Sequence, residues 1–252
     1  MCPGDLGELV KPYVFLDFFD DDSLQMGELP FHPHSGIATL TYLIEGELRY
    51  EDSTGASGVL APGSVEWIRA GAGVWHTARQ TKRQRVRGCQ VWIALPPELE
   101  TAPARSIYLG PEDLPRCGPA LVLLGSVGEV CSPLLAPSSM NYLALRLQAG
   151  EAWRYEPPTG HSVAWLAVSS GTLSASGKIC AGEMVVFEES GQSIDLRAQS
   201  DTVCILASAA KHPHDLVTGY YSVHTSEDAL RFGEAGIRAI AQQLRDVGRL
   251  SR

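Results

Sequence analysis

Three histidines occupy positions from which they could share a metal ion. His32 and His34 are separated by one residue in Pro30-Phe31-His32-Pro33-His34, and His76 follows the glycine turn Ala70-Gly71-Ala72-Gly73. On an extended strand, both imidazoles of the pair leave the same face, and a later antiparallel strand can bring His76 opposite them. Pro33 fixes one φ angle between the two and stiffens their aim. Neutral imidazole suits divalent iron, copper, nickel and zinc, and a common oxygenase site joins two His to one carboxylate with positions left open for substrate and dioxygen. The expected metal ligands are His32, His34 and His76. Glu45, Glu47 and Glu66 are the nearest acidic residues, but alternation from His34 turns Glu45 and Glu47 outward, and none of the three is expected to be a substitute ligand.

The stretch between these histidines must supply the strands that hold them. Ile37-Ala38-Thr39-Leu40-Thr41-Tyr42-Leu43-Ile44 is apolar and β-branched, reads as a buried strand, and ends at Gly46. Short β-rich segments then alternate with turns at Pro62-Gly63 and Gly71 to Gly73, up to Val86 to Leu95. Closely spaced strands without helical periods imply a β-sandwich or barrel.

Phe31-His32-Pro33-His34-Ser35-Gly36, Thr41 to Gly46, Glu51-Asp52, Pro62-Gly63, and Glu66-Trp67 through Val74-Trp75-His76 together resemble the signature of the pirin family, a branch of the cupins. The likeness is close in the N-terminal half and looser in the C-terminal half. It implies an all-β protein of two cupin-type β-barrels, a bicupin, with a C-terminal helix. In pirins three His and one Glu hold iron, the Glu lying two residues after the third His. Here that position is Ala78, and Thr39 stands where germin-type cupins place their carboxylate. Three neutral ligands leave the full charge on a divalent ion, so affinity should fall and bound water should become more acidic. Three-histidine iron sites do occur among cupins. Fe(2+) is the metal the resemblance implies, with Zn, Ni, Cu or Mn as alternatives.

Two functions follow from the resemblance. Some pirin-like proteins are quercetin 2,3-dioxygenases acting on a small aromatic substrate, and others are non-enzymatic regulators or redox sensors that bind protein partners. Ala78 shifts weight toward a weakened, altered or absent dioxygenase activity.

The 252 residues and 44% apolar content fit a globular chain of two domains. A net charge of −9 argues against direct nucleic-acid binding, and Lys82-Arg83-Gln84-Arg85 reads as a solvated edge. No run of eighteen apolar residues and no signal-like start is present, so a cytoplasmic protein with no membrane partner is expected. The six dispersed cysteines are expected to be free thiols. Asp20-Asp21-Asp22 is expected to form a solvated turn.

The expected division is an N-terminal barrel over 1–100 carrying the metal, a proline-rich linker over 101–120, a metal-free C-terminal barrel over 121–225, and a helix over 226–252. Val163 to Leu173 echoes Ala38 to Leu48; placing Gly171 on Gly46 puts Pro157 and Thr159 where His32 and His34 stand. His161 is expected to be a loop or rim residue. The second His-Pro-His, Lys211 to His214, is assigned to a returning segment that packs on the N-terminal unit. Thr225 or Ser226 can cap the final helix, along which Leu230, Ile237, Ile240 and Leu244 recur, while Gly233 and Gly236 should weaken it by up to about 1 kcal/mol each.

Overall fold

The computed structural model describes residues 1–22, 29–80 and 82–250. It divides into two compact units: Met1–Pro111 with His212–Arg252, and Glu112–Lys211. Both are built from antiparallel strands, and the six cysteines are thiols outside any disulfide.

In the first unit, β1 (Tyr13–Asp21), β8 (Val86–Ala94), β3 (Ile37–Glu45), β6 (Val65–Arg69) and β9 (Arg105–Leu109) form one sheet in that order. A second sheet runs β2 (Leu29–His34), β7 (Val74–Arg79), β4 (Leu48–Asp52), β5 (Ser57–Leu60). Leu43 and Val86 from the first sheet meet Leu48 and Leu60 from the second in one buried cluster, so the sheets pack face to face. β3 is buried from Ile37 to Ile44, consistent with its central position and its apolar and β-branched composition.

Two boundaries differ from those expected. Arg105–Leu109 is a strand inside the region expected to be a linker, pairing with β6 from Val65↔Leu109 to Arg69↔Arg105. Ile107 and Tyr108 are few apolar residues, but the free edge of β6 offers backbone partners that composition does not reveal. Residues 212–225, included in the second barrel on sequence, belong to the first unit. His212 is held there by its N–H on the Lys11 carbonyl at 3.1 Å, with its Nε2 3.3 Å from the Leu95 carbonyl. That agrees with a packing role for His212-Pro213-His214. The segment then forms a hairpin, Val217–Gly219 against Ser222–His224, and Ser222 bridges to Ser35.

A buried polar network fastens this return. Ser35 Oγ donates to Ser222 Oγ at 2.8 Å and lies 3.0 Å from His224 Nε2, while His224 Nδ1 lies 3.3 Å from Glu100. Thr225 gives both its backbone N–H and its hydroxyl to Glu100, each at 2.7 Å. Ser226 is therefore the N-cap of the helix Glu227–Asp246, accepting from the Ala229 N–H at 3.2 Å. Leu230, Ile237 and Leu244 are buried, as their spacing predicts.

The helix glycines have a positive use. A Cβ on Gly236 would lie 2.2 Å from the Ala72 carbonyl oxygen, and one on Gly233 would lie 2.5 Å from both His224 Nε2 and Ser35 Oγ. The missing side chains let the helix rest on the first unit's backbone, where the Trp75 indole N–H donates to the Ile237 carbonyl at 2.8 Å.

The acidic triplet is not a turn. Asp20 and Asp21 extend β1; Asp20 stands opposite Arg87, and Arg85 donates to both its carboxylate oxygens at 2.8 Å. Cross-strand arginines, distant in sequence, provide the neutralising charge.

In the second unit, a six-stranded sheet includes Met140–Leu147, Thr202–Ala209 and Val163–Ser170, and a four-stranded sheet includes Ala152–Tyr155 and Ile194–Ala198. Leu145, Leu166, Leu173, Leu196 and Leu206 form their shared core. His161 is not a rim residue. It is buried, with Nδ1 2.7 Å from Ser208 Oγ and Nε2 3.0 Å from Ser139 Oγ, and Ser208 continues to Tyr155 and Asn141. Polar side chains far along the chain satisfy this imidazole, so its neighbours in sequence gave no signal.

Candidate metal centre

β2 and β7 set the three histidines together. In their antiparallel register His32 faces His76 and His34 faces Val74. Side-chain alternation sends His32, His34 and His76 to the interior while Phe31, Pro33 and Trp75 leave the opposite face. One ring nitrogen from each histidine falls within a group whose atoms all lie within 4.8 Å of one another. Ring centroids are 5.0 Å apart for His32 and His34, 4.4 Å for His32 and His76, and 5.1 Å for His34 and His76.

Each imidazole has its Nδ1 engaged. His32 donates to the Pro30 carbonyl at 3.0 Å, and His34 to the Tyr221 carbonyl at 3.1 Å. His76 Nδ1 lies 3.4 Å from Glu66 Oε1. A carbonyl or carboxylate can only accept, so these contacts place hydrogen on Nδ1 and leave Nε2 as a free lone pair. The Nε2 atoms of His34 and His76 are buried with no hydrogen-bond partner. Two orphaned buried acceptors beside a third imidazole are costly unless something binds them. Burial, reinforced by repulsion from His76, lowers the His32 pKa to about 4 and takes His34 well below its ordinary value. Both are neutral at pH 7.

Ala78 lines the same cavity as His76, and no carboxylate joins the three-histidine cluster among the described residues. Glu45 is exposed and pairs with Arg87. Glu66, 2% exposed, lies beside His76. Its Oε2 accepts from Thr41 Oγ1 at 3.0 Å, Thr41 Oγ1 accepts from Gln90 at 3.0 Å, and Gln90 accepts the Trp92 indole N–H at 3.0 Å. The Tyr108 hydroxyl donates to Asp52 at 2.8 Å, 3.4 Å from Glu66 Oε1. Burial beside these two carboxylates raises the Tyr108 pKa and keeps the phenol protonated.

The cavity above the histidines measures about 230 Å³. Phe15, Phe19, Leu48, Leu60, Val86 and Trp92 form its apolar wall, and Thr41, Glu66, Gln80 and Gln90 its polar one. Sequence reasoning missed Gln90, Trp92 and Tyr221, and weighed Glu66 only as a direct ligand, not as a partner of His76. For Glu66 a signal existed, because pairing Thr41 with Glu66 across β3 and β6 puts their side chains on one face. Tyr221 reaches the site from 187 residues beyond His34, and nothing local announces it.

The family model for pirin matches residues 2–93. A Pseudomonas aeruginosa protein provisionally named a quercetin 2,3-dioxygenase is 31% identical over 261 residues, covering 94% of this chain and 90% of the relative. A pirin-like protein of Caulobacter vibrioides is 28% identical over 98% of this chain and 90% of its own length. Among solved structures, a quercetin 2,3-dioxygenase from Acinetobacter baumannii superposes with a TM-score of 0.84 at 19% identity, over 99% of this chain and 91% of that one. The Escherichia coli pirin YhhW, solved in complex with nickel(II), gives 0.67 at 18% identity, over 81% and 84%. The conjunction of family model, full-length relatives and fold leads to one assignment: the chain belongs to the pirin family, an all-β bicupin with a C-terminal helix.

Proposed function

We propose that this protein binds one divalent metal through the Nε2 atoms of His32, His34 and His76 and acts as an oxygenase on a planar, enolic aromatic substrate of the flavonol type. The observation that carries the proposal is the pair of buried, unpartnered Nε2 atoms on His34 and His76, aimed with His32 at an apolar cavity. The names of the relatives and the nickel(II) bound by a structural neighbour support it. Iron(II) is the first metal assigned; zinc, nickel, copper and manganese compete for the same donors.

A bound divalent metal would supply a Lewis acid and a redox centre for dioxygen chemistry on an enolic oxygen. The chain's own residues perform the remaining tasks. The Pro30 and Tyr221 carbonyls and the Glu66 carboxylate hold the ligand tautomers, and the carboxylate makes His76 a stronger donor. Glu66 thus places one negative charge an imidazole away from the ion and offsets part of what Ala78 withholds. Phe15, Phe19 and Trp92 exclude water from the reacting face.

Elemental analysis of tag-free protein tests the ligand set: wild type should carry close to one equivalent of metal, and His76→Ala should lose it. Equal content in both would sink the assignment. Oxygen uptake with quercetin by the iron-loaded protein tests the chemistry.

A further inference from the structure

We infer that Tyr221 is the specificity-determining residue of this site, its ring being the wall on which the part of a planar aromatic ligand outside the cavity stacks. The inference rests on the substrate class proposed above and deepens it.

The hairpin's paired residues Gly219 and Ser222 leave Tyr220 and Tyr221 as a two-residue turn, and Tyr221 adopts φ +52°. Positive φ at the second turn position favours Gly or Asn, because it disfavours larger side chains. Two tyrosines in their place, 64% and 41% exposed, satisfy neither the turn nor a core. The ring of Tyr221 is instead directed at the histidines. Its centroid lies 5.8 Å from His32, 6.0 Å from His34 and 6.2 Å from Trp92. It lines the cavity while remaining part exposed, so it stands at the rim.

Size gives the rim its importance. At about 230 Å³ the cavity is below the roughly 300–1,000 Å³ usual for sites that enclose drug-sized ligands. A multi-ring ligand whose oxygen reaches the histidines must extend past Tyr221, where an aromatic face gains from offset or edge-to-face contact. The wall is fixed in place: Ser222 is tied to Ser35, and the Tyr221 carbonyl accepts from His34. That carbonyl belongs to the backbone, so the ring can be removed without removing the group that orients the ligand.

Tyr221→Gly and Tyr221→Phe test this. Glycine accepts positive φ and keeps the carbonyl; phenylalanine keeps the ring. Metal content and anaerobic dissociation constants would be measured for quercetin and for 2,3-dihydroxynaphthalene, a planar non-flavonol. Both variants should retain metal, Tyr221→Gly should bind the probes about tenfold more weakly, a loss of about 1.4 kcal/mol, and Tyr221→Phe should stay within about twofold. Unchanged affinity in Tyr221→Gly overturns the inference, and so does loss of metal, because the ring would then act through the ligand set. Binding of the naphthalene alone, with the same dependence on Tyr221, removes the flavonol assignment and upholds the wall. If neither probe binds wild type, both fall.

Discussion

Glu66 Oε1 stands 3.4 Å from His76 Nδ1, the ring nitrogen opposite that imidazole's buried, unpartnered Nε2. The chain therefore keeps a buried carboxylate beside one of the three histidines, although Ala78 stands where pirins carry a direct carboxylate ligand. Outer partners of this kind fix the ring and raise its basicity, and their loss typically costs 10–100-fold in metal affinity. Glu66→Gln keeps the size and an oxygen for Thr41 but removes the charge. Chelator competition should show metal binding weakened by about 10–100-fold. Unchanged affinity would mean that the 3.4 Å approach has no influence on the site.

Ala78→Glu probes the direct position. Ala78 lines the cavity with His76 and packs beside Leu48, Leu60 and Val86, so a carboxylate there enters the site from an apolar wall. Iron affinity should rise, and if flavonol cleavage is the chemistry, oxygen uptake with quercetin should exceed wild type. The metal-free variant should lose about 1–3 kcal/mol of stability from an unpaired buried carboxylate, measured by urea unfolding. Iron binding that is no tighter would remove position 78 from the metal's reach.

The parts of this molecule legible in the sequence are those encoded by local pattern. Alternation and turn glycines give the strands around His32, His34 and His76, and helical spacing gives Leu230, Ile237 and Leu244. What stayed hidden depends on partners far along the chain. Glu66 meets His76 across the two sheets, Tyr221 meets His34 across 187 residues, and Asp20 finds Arg87 on β8 and Arg85 just before it. The linker expected at 101–120 failed for the same reason, since β9 exists because β6 offers it an edge.

The helix glycines separate local propensity from tertiary contact. On propensity, Gly236→Ala should stabilise the chain by about 1 kcal/mol. The Cβ would meet the Ala72 carbonyl oxygen at 2.2 Å, and backbone cannot swing aside as a flexible side chain can. Overpacking of this kind costs roughly 1–3 kcal/mol, so a net loss of stability is expected in urea unfolding. A more stable Gly236→Ala would show that the helix can lift from the strand without penalty.

Stability of the metal-free protein should also fall on mild acidification, because its buried histidines, His32 and His34 among them, resist protonation in the folded chain. Burial lowers the pKa of His161, His212 and His224 below 6.5, and for His224 the Glu100 and Glu234 charges oppose the shift only in part. His161 faces serine hydroxyls, and His212 faces the Leu95 carbonyl with Lys11 and His214 nearby, so neither has a carboxylate partner. Below pH 6.5 the unfolded chain binds protons at these positions that the folded chain refuses, and unfolding is then favoured. The sign is thus full stability above about 6.5 and loss as pH falls toward the folded values, with a limit of about 1.4 kcal/mol per pH unit for each histidine. Urea unfolding of metal-free protein at pH 7.5, 6.5 and 5.5 should show a decline that is steeper in the last step than in the first, and His161→Gln should make that decline shallower. A flat profile would mean that these imidazoles take up protons without leaving their buried positions.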